Sequence, residues 1–153
     1  GRLFDGYRVT TRFSISLHKS DVLSMYSVGS AIWMAKNNLP SSSYYNAIVP
    51  ILDGLNFYSL ARVKANLLTK TPKILVNEFH TDESEFTTKQ MKQWTTAIFY
   101  INTNNGYTEF KDGTIIDSVA NRMVTFPQDM KHRGTSCTDE KIRVVINFNY
   151  YRK

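Results

Sequence analysis

The sequence predicts a mainly β, α+β domain: an antiparallel sandwich or barrel with helices packed on its outside. Two observations carry this. Helical signals are confined to the first third of the chain, and six or more short strand-like runs follow one another from Phe57 onward. Helices first and strands afterwards is the order of an α+β fold rather than of alternating βαβ units. A third observation sets the scale. With 153 residues, 42% of them hydrophobic and 21% charged, the chain reads as one globular domain (1–153) able to bury a core without staples. Within it, 1–56 reads as a helical or mixed support region and 57–153 as the β core.

The elements follow in order. Arg8 to Leu17 alternates enough to be a strand. Ser20-Asp21 is a helix start, and apolar residues at Val22, Met25, Tyr26, Trp33 and Met34 predict a helix to about Lys36, weakened by Gly29. Leu39-Pro40-Ser41-Ser42-Ser43 is a loop cluster. A second short helix is predicted over Tyr44–Leu52, interrupted by Pro50. Strands are then predicted at Leu60–Leu68, Lys73–Phe79, Trp94–Ile101, Gly106–Lys111, Met123–Phe126 and Lys141–Tyr151. Asp112-Gly113 marks a turn. In the first of these strands Arg62, Lys64 and Asn66 share a face, which is either a substrate-facing basic strip or an exposed edge.

Composition narrows the chemistry. One cysteine, Cys137, excludes an internal disulfide and a thiolate zinc site, so any metal must be held by imidazole and carboxylate. A reducing compartment, the cytoplasm, is expected. No apolar run approaches the roughly 20 residues that a membrane helix needs, so no membrane partner is expected. Nineteen basic against 13 acidic residues give a formal net charge of +6, compatible with an anionic partner or with a dispersed lysine-rich surface.

The informative residues are Phe79-His80-Thr81-Asp82. Residues i and i+2 at the end of a strand project to one side, so His80 and Asp82 can converge on one ion. His132, 52 residues on, is a candidate third ligand. Two histidines and a carboxylate on one face of an octahedron form the open site of a non-haem Fe(II) oxygenase. Arg143 follows eleven residues after His132, at the start of the last apolar strand. An inward guanidinium on a core strand is costly unless it meets an anion, and its fork matches a carboxylate.

With these residues in view, the segment from about Leu60 to Tyr151 resembles the 2-oxoglutarate- and Fe(II)-dependent dioxygenases, in particular the prolyl-4-hydroxylase-like branch. The matching pieces come in the family's order: His80-x-Asp82, Thr96-Ala97-Ile98-Phe99-Tyr100-Ile101-Asn102, Gly106-Tyr107-Thr108-Glu109-Phe110, His132-Arg133-Gly134 and Arg143. The His-Thr-Asp and His-Arg-Gly contexts are also similar to those of small phage-encoded members, for which the compartment would be the host cytoplasm. The resemblance implies a double-stranded β-helix, a jelly-roll barrel with the metal inside one mouth. It implies Fe(II) on His80, Asp82 and His132, and 2-oxoglutarate with its distal carboxylate on Arg143 and Tyr100. Asn66 is expected near the other end of the cosubstrate. O2 is the co-reactant, ascorbate a candidate reductant, and succinate and CO2 the products. The turn Asn105-Gly106-Tyr107-Thr108 departs from the family's double glycine and its Glu before the Thr, and the first 55 residues carry no matching motif.

The expected substrate is a peptidyl (prolyl-like) side chain or a small molecule. Two other readings stay open: an oxygenase acting on nucleic acid, for which no base-stacking motif is found, and a barrel that binds metal or a partner without turnover. Nothing in the sequence sets the oligomeric state. Of the remaining residues, His18, Cys137, Trp94 and the Phe148–Tyr151 run read as structural. Glu78, Glu83 and Glu85 flank the motif, Glu78 facing away beside a strand residue and the other two on a solvated loop, and Arg133 reads as a candidate contact for an anionic substrate.

Overall fold

The computed structural model describes residues 2–4, 6–10, 31–34, 39–40, 45–82 and 87–153. His18, Glu83, Glu85 and most of the first predicted helix lie outside the described residues. The elements are β1 (Arg2–Phe4), β2 (Tyr7–Thr10), β3 (Ala31–Met34), β4 (Leu39–Pro40), α1 (Tyr45–Gly54), β5 (Phe57–Thr69), α2 (Thr88–Gln93), β6 (Trp94–Tyr100), β7 (Tyr107–Phe110), β8 (Ile115–Asp117), β9 (Met123–Pro127), β10 (His132–Gly134) and β11 (Ile142–Arg152). The strands form two antiparallel sheets. The larger runs β1-β2-β9-β6-β11-β5-β3-β4 and the smaller β10-β7-β8. Among the described residues no helix is long and apolar enough to cross a membrane.

The strand β11 organises the molecule. It lies between β5 and β6, with Asn147 opposite both Lys64 and Ile98. Its side chains alternate between faces. Val144, Ile146, Phe148 and Tyr150 join Val63, Ala65, Ala97 and Phe99 in one apolar cluster, covered by Ile48, Ile51, Leu52 and Leu55 from α1 and the turn after it. Arg143, Val145, Asn147 and Asn149 point the other way, into the space between the sheets. There Ile98, Tyr100, Val124, Phe126 and Val145 pack on Phe110 and Ile116 of the small sheet. The outer face of the large sheet is thus a dry core, while the inner face carries polar groups among apolar ones. A polar inner face on a central strand needs partners, and it finds them in the cavity described below.

Three expectations are corrected. Residues 31–34 are strand, not helix: Ala31-Ile32-Trp33-Met34 pairs antiparallel with β5. Edge pairing satisfies the backbone of β5, and aromatic and β-branched residues suit it, so tertiary context overrides the helical spacing. Lys73–Phe79 is not a strand. Its backbone is bridged singly, at Val76–Thr135, and the next bridge along the chain is His80–His132. The helix α1 runs through Pro50 to Gly54 instead of breaking. Pro50 lies on its exposed side, and the lost amide bond is offset by burial of Ile48, Ile51 and Leu52.

Candidate metal and cosubstrate site

The two histidines are set opposite one another by the backbone. His80 and His132 exchange both amide hydrogen bonds, His80 N–H to His132 O at 2.9 Å and His132 N–H to His80 O at 3.0 Å. This narrow bridge places the rings side by side, with centroids 4.7 Å apart. His132 also belongs to β10, where it pairs with Phe110. Its ring packs edge-on against Phe126 at 4.9 Å.

The ring nitrogens are sorted by their partners. His80 Nδ1 lies 3.1 Å from the Glu78 carbonyl and His132 Nδ1 3.2 Å from the Met130 carbonyl. A carbonyl only accepts, so each Nδ1 carries the proton and each Nε2 keeps a lone pair. Both Nε2 atoms face Asp82 Oδ1, at 3.5 Å from His80 and 3.3 Å from His132. His132 Nε2 is buried without a hydrogen-bond partner. The three donors lie within 4.8 Å of one another. Donors about 2.1 Å from a shared ion and at right angles are roughly 3 Å apart, so the two Asp82 contacts are already near that spacing and the imidazoles must draw together to share one ion. Nitrogen and carboxylate donors with no thiolate suit Fe(II) and its neighbours.

Asp82 is held from its other side. The side-chain amides of Asn147 and Asn149 donate to Oδ2 at 3.3 and 3.2 Å, and Arg62 Nη2 lies 4.0 Å away. Oδ2 is thus engaged by the protein, and Oδ1 is the oxygen that faces the two imidazoles. Burial alone pushes the Asp82 carboxyl up. The facing His132 and His80 imidazoles, which donate to it only when protonated, and the Asn149 amide outweigh that and hold it well below the usual carboxylate range, so it is ionised. The Asp82 carboxylate facing Nε2 favours the protonated form of His80 and pushes its pKa up. Asn147 and Asn149 escaped the sequence reading. Their signal was present: two amides on alternate positions of an otherwise apolar central strand.

Beside the donors lies a cavity of about 420 Å³ between the sheets. Lys64, Asn66, Asn147 and Arg143 line it from the large sheet, and Thr108, His132 and Gly134 from the small one. Arg143 is 2% exposed. Its Nε donates to Ser118 Oγ at 3.0 Å and an Nη to the Tyr107 carbonyl at 3.3 Å. Among the described residues no carboxylate pairs with it, and burial pushes its pKa down. A buried guanidinium held only by neutral acceptors is a ready anion site. Tyr100 is fully buried behind it. The ring lies 5.9 Å from the guanidinium carbon, and the hydroxyl donates to Thr108 Oγ1 at 2.7 Å. Thr108, not Tyr100, therefore presents its side chain to the cavity. Asn66 lines the cavity opposite Val145. Arg133 is engaged elsewhere, with Glu109 at 2.7 Å and stacked 4.1 Å over Phe79.

By sequence the chain matches no protein-family profile and no curated protein. Its structure matches several solved ones. A viral collagen prolyl hydroxylase from Paramecium Bursaria Chlorella virus-1, in its 2-oxoglutarate complex, aligns over 97% of each chain with a TM-score of 0.62 and 13% identity. A prolyl hydroxylase from Trichoplax adhaerens, bound to a hypoxia-inducible-factor peptide fragment, aligns over 96% of this chain and 84% of that one, with a TM-score of 0.63 and 15% identity. HygX from Streptomyces hygroscopicus, with nickel and 2-oxoglutarate bound, aligns over 97% of this chain and 82% of that one at a TM-score of 0.56 and 11% identity. The fold is the jelly roll of the 2-oxoglutarate oxygenases. At these identities the likeness speaks to fold, and the chemistry rests on the site.

Proposed function

We propose that the protein is an Fe(II)- and 2-oxoglutarate-dependent dioxygenase that hydroxylates a peptidyl, prolyl-like side chain or a small molecule. One observation carries the reading. A convergent His-Asp-His donor set with an orphaned imidazole nitrogen shares a cavity with a buried arginine that has no carboxylate partner. A metal-binding barrel without turnover has no use for that anion site. The resemblance to small phage-encoded members is part of the same proposal.

His80, Asp82 and His132 would hold the iron, which supplies the redox chemistry by which 2-oxoglutarate, O2 and a substrate C–H become succinate, CO2 and C–OH. The chain's own contribution is position and charge. Asn147 and Asn149 fix the Asp82 carboxylate so that Oδ1 faces the two imidazoles. Arg143, steadied by Ser118 and the Tyr107 carbonyl, anchors the distal carboxylate of 2-oxoglutarate. Thr108 is the hydroxyl beside it, oriented by Tyr100. Ile98, Leu68 and Val145 give the cavity an apolar wall that limits water. Asn66 is placed to reach the other end of the cosubstrate, with ascorbate an optional reductant.

Asp82→Ala is the decisive variant. We expect it to lose iron-dependent succinate formation and to weaken binding of Co(II), followed by the visible spectrum, while keeping its fold. Succinate formation undiminished in that variant would overturn the site. The wild-type product should gain the mass of one oxygen. The net charge of +6 favours a second reading, oxidation of a nucleic acid. Binding to oligonucleotides that weakens steeply with salt, together with oxidation of a base, would replace the first.

A further inference from the structure

The sequence left Lys64 open as either edge or site, and the fold places it in the site. It lies on the inner face of β5 between Arg62 and Asn66, opposite Asn147, whose amide holds Asp82. Its side chain lines the cavity, and among the described residues it has no hydrogen-bond or ion-pair partner. Lys64 is half-buried, and an ammonium that lines a cavity without a partner offers a seat to an anion.

The backbone sets this anion apart from the carboxylate on Arg143. Arg143 is opposite Leu68, four residues along β5 from Lys64, which is about 13 Å at the rise of an antiparallel strand. The two cations therefore serve different ends of the cavity, with Lys64 in the row of the metal donors. A charge tally points the same way. With a divalent ion, the Asp82 carboxylate, a 2-oxoglutarate dianion and the Arg143 guanidinium all in place, the charges cancel. Lys64 is then left over, and Arg62 beside it has the same sign. Resting on the function proposed above, we infer that Lys64 is a specificity residue for substrate, and that the substrate carries a compact anionic group, a carboxylate or a phosphate, seated on Lys64 beside the metal.

The test uses the whole chain loaded with Co(II) and saturating 2-oxoglutarate. Inorganic phosphate and acetate are the probes, and paramagnetic broadening of their 31P and 1H resonances is the readout. We expect one or both to be broadened by the wild-type protein. In Lys64→Met the binding should weaken about tenfold or more, and Lys64→Arg should restore much of it. The probe that is broadened more strongly tells phosphate from carboxylate. The 2-oxoglutarate affinity, read from the Co(II) visible spectrum, should be equal in all three proteins. Equal broadening in wild type and Lys64→Met, or none in wild type, would overturn the assignment while the function stands. A 2-oxoglutarate affinity that falls in Lys64→Met would overturn it too, by giving Lys64 to the cosubstrate. Failure of the wild type to bind Co(II) or 2-oxoglutarate at all would sink the proposed function and this inference together.

Discussion

At the scale of single residues, Gly106 shows how closely the anion site is built. A Cβ there would lie 2.5 Å from Arg143 Cδ, 2.7 Å from the Ser136 carbonyl and 2.8 Å from Asn104 Oδ1. Two of these neighbours belong to groups that are themselves fixed, so an added methyl must push the arginine. Gly106→Ala should therefore weaken 2-oxoglutarate by about tenfold, the cost of displacing one charge-assisted contact, and leave Co(II) affinity unchanged. Isothermal titration with each ligand separates the two effects. The glycine was legible in the sequence only as part of a family-like turn. Its reason, close approach of backbone to Arg143, is a tertiary fact with no local signature.

At the scale of elements, β11 divides labour between adjacent residues. Ile146 faces α1 and is fully buried, while Asn147 faces the metal donors. Ile146→Ala should lower the unfolding free energy by about 2–5 kcal/mol and leave metal affinity alone. Asn147→Leu should weaken the metal about 10–100-fold at a smaller cost in stability. Denaturant midpoints and Co(II) titrations on the two variants would show the crossing pattern, and similar effects of both on metal affinity would refute it. The strand itself was readable because its run of Val, Ile, Phe and Tyr is long. Residues 31–34 were misread because Trp33 and Met34 fall on a helical period as well as in a strand-like run. Lys73–Phe79 was misread because Ile74-Leu75-Val76 is a strand-like apolar run, yet Leu75 and Val76 remain exposed. Burial, not alternation, decides which runs enter a sheet.

At the scale of the molecule, two buried tyrosines on opposite faces of the large sheet set an alkaline limit. Burial pushes the hydroxyls of Tyr100 and Tyr150 up to about 12 from an ordinary value of 10.0. Between these values the unfolded chain loses protons that the folded chain retains. Stability is thus fully present below pH 10 and falls as pH rises from there toward 12. A denaturant series across that range should show the decline, and Tyr100→Phe should make it shallower. The site's pieces lie far apart in the chain, yet the sequence pointed to His80, Asp82, His132 and Arg143 because metal donors and a lone inward arginine are chemically distinctive. Lys64, Asn147 and Asn149 were harder, since lysine and asparagine are common on surfaces and their alternation along a strand does not say which face is inward until the topology does.

The exchanged amide bonds between His80 and His132 have a kinetic consequence. The bridge is a single residue pair outside any longer ladder on the His80 side, so it can open by local fluctuation while the rest of the barrel stays closed. An ion shared by the two imidazoles, as the proposed function requires, would close it again. At an ion concentration of about 100 times Kd, protection should rise by roughly 100-fold. Hydrogen–deuterium exchange at these two amides should slow accordingly on adding Co(II), while amides in the middle of β11 barely change. Two backbone protons would then report how tightly the halves of the barrel are latched.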